Sequence, residues 1–102
     1  MKLALAFIPA LAVTPALAAP GSIETCTSMS ETAQVAMQVR QSGLPIYSVM
    51  NQLAGSLDGT DLQFAILMME AAYNEPLYSS EEYKVRAANE FASDVFRLCR
   101  ED

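Results

Sequence analysis

The chain has 102 residues, 12 acids against 6 bases and no histidine, for a formal net charge of −6 at neutral pH. A chain of this length holds one domain, and the acidic balance disfavours nucleic acid and anionic membrane surfaces as partners. Without histidine, a Ser-His-Asp or Cys-His site is excluded, and the commonest general base and transition-metal ligand are missing.

Residues 1–18, MKLALAFIPALAVTPALA, set one lysine before an apolar run and end on Ala16-Leu17-Ala18, with small residues at the −3 and −1 positions. This pattern reads as a cleavable secretory signal. A membrane anchor is the weaker reading, because Pro9 and Pro15 interrupt a run already short of the ~20 residues a bilayer span needs. Nor does a lipobox precede Cys26, which follows Ile23-Glu24-Thr25. The expected division is a signal peptide over 1–18, a short leader over 19–27 and a single helical domain over 28–100, in the periplasm or secreted. Cleavage would remove Lys2 and leave twelve acids against five bases, a net charge of about −7.

Four helices are predicted. Ser28-Met29-Ser30-Glu31 offers a capping box for the first, whose Met29, Ala33, Ala36, Met37 and Arg40 recur at spacings of three and four, with Gly43 and Pro45 as the stop. Small residues mark its inner face. Pro45 suits the first turn of a shorter second helix carrying Ile46, Val49, Met50, Leu53 and Leu57, weakened by Gly55 and ended by Asp58-Gly59. Thr60-Asp61-Leu62-Gln63 is another capping box, and from Leu62 to Tyr73 almost every residue is apolar, the signature of a central helix. Within it Met68-Met69 reads as core, with an adaptable methionine groove as the alternative. Pro76 cannot continue this helix, so Asn74 to Tyr78 should be a corner. The fourth helix opens at Ser79 or Ser80, with Glu81 and Glu82 at the positive end of its dipole. Tyr83, Ala87, Phe91, Val95 and Leu98 form its apolar stripe. No alternating apolar segments suggest a sheet. The expected fold is all-α: a small bundle of three long helices and one short one.

Cys26 and Cys99 admit one intramolecular pairing in an oxidising compartment. Closing so long a loop would contribute at most about 4 kcal/mol, a large share of the ~5–10 kcal/mol typical of a small domain. There is no C-x-x-C, and pairing would remove thiol nucleophilicity and thiolate ligation.

Cys26, Ala33, Arg40-Gln41-x-Gly43, Ala72-Tyr73-x-x-Pro76, Phe91 and Cys99 in this order resemble small exported two-cysteine proteins encoded by proteobacteria and by their phages and prophages. The resemblance covers most of the chain after the signal and implies a helical, exported, disulfide-bonded protein. It brings no catalytic or ligand residues. Many similar sequences carry a base after the proline, where this chain has Leu77, so no role for a cation at that position carries over.

No catalytic, cofactor-binding or metal-binding residue is expected. Glu81-Glu82 is the densest carboxylate pair and is accounted for as helix-start acids, while Asp58-Gly59-Thr60-Asp61 has too few oxygen ligands for a calcium loop. The candidate partner-binding residues are Tyr73, Tyr78 and Tyr83, whose rings should cover the end of the core with their hydroxyls in water, and Arg40. Arg40 has a plainer reading as a charge complementing the helix end, or as an internal tie to Glu70 or Glu75. The expected function is a non-catalytic protein-binding module of the cell envelope, monomeric or weakly self-associating, with an envelope protein as partner and no membrane span. A holdase-type stress chaperone is the alternative, by analogy of size, helicity and export alone.

Overall fold

Four helices account for most of residues 21–101, the part of the chain that the computed structural model describes: α1 (Ile23–Gln41), α2 (Ile46–Ser56), α3 (Gly59–Tyr73) and α4 (Glu81–Glu101). No strand occurs among the described residues, and the Cys26–Cys99 disulfide is formed, so the fold is the expected stapled helical bundle. The signal expected over 1–18 and the first two residues of the leader lie outside the described residues. No helix among the described residues is long and apolar enough to cross a membrane.

α1 begins five residues before the Ser28 capping box. Ser22 is its N-cap, with a hydroxyl that accepts the Thr25 N–H at 3.0 Å, and Glu24 occupies the first turn. The stretch 21–27, expected as leader, is therefore a cap and the first helical turns. Serines and threonines that suggest a start instead bond back inside the helix: Thr27 donates to the Ile23 carbonyl and Ser30 to the Thr27 carbonyl, both at 2.8 Å. What makes the extra turn worthwhile is long-range. Buried Cys26 is bonded to Cys99 near the end of α4, and Gly21 N–H donates to the Cys99 carbonyl at 3.0 Å.

α1 and α4 run antiparallel along their whole length, tied at Cys26–Cys99, at Gln34–Asn89 (2.8 Å) and at Lys84–Gln41 (2.8 Å). α1 also packs on α3, and α2 on α3. The central helix is thus α1, not the more apolar α3. Its buried Ala33, Ala36 and Met37 leave room for neighbours on two sides, in keeping with its small inner residues. α3 buries only Ala65, Met69 and Ala72, and its Leu67 is 57% exposed. Met69 joins the core with Met37, Val49 and Ala88, and Met68 is half-buried against it.

The inward face of α4 keeps Ala87, Phe91 and Val95 of the predicted stripe, all half-buried, but is centred on buried Ala88 with half-buried Lys84, Ala92 and Cys99 beside it, whereas Tyr83 and Leu98 are more than half exposed. The disulfide dictates this, since turning Cys99 towards α1 carries residues three, four and seven positions back with it.

Gly21 lies against the staple. A Cβ there would fall 2.7 Å from the Cys99 sulfur and 2.8 Å from that of Cys26. Gly21→Ala should therefore cost about 1–2 kcal/mol in a thermal or urea melt through overpacking, as it pushes Gly21 off its bond to Cys99. A variant as stable as the parent would show that this end shifts freely.

Candidate functional site: the α3–α4 corner and the α1–α2–α3 groove

α1 ends at a turn in which Gly43 takes φ +87° and donates its N–H to the Arg40 carbonyl at 3.1 Å. α3 ends at Tyr73, and the chain reverses through 74–80 before Ser80 caps α4, its hydroxyl accepting the Tyr83 N–H at 3.1 Å. The corner falls where Pro76 places it. Pro76 offers no N–H, so the local backbone relies on partners from elsewhere.

Gln41 supplies them. This last residue of α1 is 5% exposed, and its side-chain amide donates to the Pro76 carbonyl at 2.8 Å while its oxygen accepts the Tyr78 N–H at 2.9 Å. Its own carbonyl accepts from the Lys84 ammonium at 2.8 Å. Beside it, Arg40 donates from Nε to the Glu75 carbonyl at 3.0 Å and lies 5.1 Å over the Tyr73 ring, whose hydroxyl donates to the Leu44 carbonyl at 2.6 Å. The Arg-Gln-x-Gly and Ala-Tyr-x-x-Pro segments are two halves of one joint. In the sequence Gln41 stands out only as part of the Arg40-Gln41-x-Gly43 segment, and what marks its role is a long amide next to a glycine stop, opposite the proline corner.

The four candidate partner-binding residues therefore separate into two pairs. Arg40 and Tyr73 belong to the joint. The tie from Arg40 to the corner exists, but it reaches the backbone carbonyl of Glu75 and not its carboxylate. The expectation that all three hydroxyls stay in water fails at Tyr73. Tyr78 is half-buried with its ring centroid 6.2 Å from that of Tyr83, and Tyr83 is 51% exposed with Arg86 5.2 Å over its ring. Of the four, Tyr83 offers the most accessible ring.

A second feature takes in Met69, one of the two methionines whose alternative reading is an adaptable groove. Between α1, α2 and α3 lies an open groove of about 500 Å³, with Val35, Ala36, Leu53, Leu57, Ala65 and Met69 as its apolar lining. Ser28, Glu31 and Thr32 supply its polar edge. Val35 is 55% exposed and Leu57 38%. The two α3 residues of the lining, Ala65 and Met69, are buried and form its floor. Among the described residues, no group of three or more acids or cysteines gathers so as to hold a metal ion, and neither cysteine is free.

Comparison with family models, with curated proteins and with solved structures returns no match.

Proposed function

We propose that this protein is a non-catalytic binding module acting outside the cytoplasm, in the periplasm or after secretion, and that the α1–α2–α3 groove is where it engages another protein. The supporting observation is the groove itself: Val35 and Leu57 stand exposed and Leu53 half-buried around a floor of buried Ala36, Ala65 and Met69, on a frame stapled by the disulfide. An apolar concavity with a polar edge is a common form of binding site. The export reading draws on residues 1–18 and on the disulfide, which forms and persists in oxidising compartments. The absence of histidine and of a free thiol supports a role without acid–base or thiol chemistry.

Val35→Glu should abolish capture of a specific partner from an envelope fraction while leaving the melting temperature nearly unchanged, because the side chain is more than half exposed. Val85→Glu, at a position 58% exposed on α4, should leave capture intact. Loss with Val85→Glu alone would move the interface to α4. Suppression of aggregation across unrelated proteins, unaffected by Val35→Glu, would favour the holdase reading.

A further inference from the structure

Every lysine and arginine among the described residues is engaged by the chain itself. Arg40, Lys84 and Arg100 donate to the carbonyls of Glu75, Gln41 and Gly21 at 3.0, 2.8 and 2.6 Å, while Arg86 pairs with Glu82 and Arg97 with Asp94. Apart from Arg40, all of them lie on α4, and residues 22–39 and 41–83 contain no base. The helices around the groove thus carry almost only carboxylates. Glu31 lines it, Glu24 stands two turns earlier on the same face of α1, and Asp61 stands one turn ahead of the lining Ala65. None of these three takes part in an ion pair among the described residues. Helix dipoles favour Glu24 and Asp61 where they are. They give no reason for Glu31, in the middle of α1.

Resting on the reading of the groove as the docking surface, we propose that its occupant is a short basic amphipathic helix of another protein, with aliphatic anchors in the groove and lysines or arginines over Glu31 and Asp61. The groove runs along α1 from Ser28 to Val35, two turns or about 10 Å at the helical rise, the length that pairs of i and i+3 or i+4 anchors need. A second copy of this chain is a poor occupant. It would set the same carboxylates against each other, and its cations are already engaged.

The probe is a synthetic helical peptide of about 14 residues with leucines at i, i+3, i+4 and i+7 and lysines elsewhere, compared with analogues carrying glutamine or glutamate for lysine. Titrated into the folded, oxidised protein, the lysine peptide should shift the methyl resonances of Val35, Leu53 and Met69. The glutamine analogue should bind about tenfold more weakly, the sum of several modest exposed pairs, and the glutamate analogue not at all. Glu31→Gln with Asp61→Asn should weaken the lysine peptide severalfold and Glu90→Gln, on α4, should not. Equal binding of the glutamine analogue at the same methyls would overturn the charge proposal and leave the groove reading standing. Shifts confined to α4, equal weakening by Glu90→Gln, or no binding of any peptide would overturn the proposal. Groove methyls that shift with protein concentration alone, together with a dimer mass, would assign this face to a second copy.

Discussion

Removing the disulfide, by reduction or by Cys26→Ala with Cys99→Ala, should lower the melting temperature by roughly 15–30 °C. The figure follows from the ~4 kcal/mol that closing a loop of this length withdraws from the unfolded chain and the ~4–8 °C per kcal/mol shown by domains of this size. It is an upper range, since residual structure in the reduced chain lessens it. The bond closes the ends of the longest helix pair, across 73 positions, with Cys26 wholly buried. The Met29 sulfur packs 3.6 Å from that of Cys99, so the double alanine variant also opens a gap beside Met29. Circular dichroism melts with and without reductant measure the effect, and thiol titration of the denatured, unreduced protein should find no free thiol. A shift below about 5 °C, worth roughly 1 kcal/mol, would show that α1 and α4 hold together without the bond.

Gln41→Leu should cost about 2–3 kcal/mol, although it roughly keeps side-chain volume. It leaves the Pro76 carbonyl and the Tyr78 N–H without their partner, and each such loss is worth about 1–3 kcal/mol, reduced here because water can reach Pro76. Urea denaturation gives the stability, and amide exchange at Tyr78 should accelerate. Gln41→Glu keeps an acceptor for Tyr78 but sets a carboxylate against the Pro76 carbonyl, so it should not restore the parent value. A leucine variant within about 0.5 kcal/mol of the parent, the range of an ordinary surface change, would place the hold on the corner in Arg40 and Tyr73 instead.

Local signals are legible wherever the backbone's own chemistry decides. Gly43 with Pro45 ends α1, Pro76 makes the corner and Ser80 caps α4, and each follows from a residue whose dihedrals or hydroxyl admit little else. The pairing of Cys26 with Cys99 follows from there being only two cysteines. What is not legible depends on which neighbour a face meets. α1 is rich in serine, threonine and glutamine and looks peripheral, yet its hydroxyls bond back to its own carbonyls and its alanines admit two partners. α3 looks central because hydrophobicity reports the tendency to be buried, not the number of helices available to bury it. Of the candidate site, the tyrosine corner is visible as a cluster, but the division of Arg40 and Tyr73 from Tyr78 and Tyr83 depends on hydrogen bonds made across more than thirty positions.

The frame is fastened unequally. α1 and α4 are closed at one end by a covalent bond and at the other by the Gln41 joint, whereas α2 contributes a single fully buried side chain, Val49, and has no side-chain N-cap bond. Local opening follows the number of buried contacts that must be broken, so α2, which the staple does not hold, is expected to detach before the disulfide-bonded pair. Because Leu53 of α2 and Leu57 just after it form one wall of the groove, that excursion varies the groove's width. The molecule joins a stapled helix pair to one wall held by fewer buried contacts, and on the proposed reading of the groove that wall would adjust to anchors of different bulk.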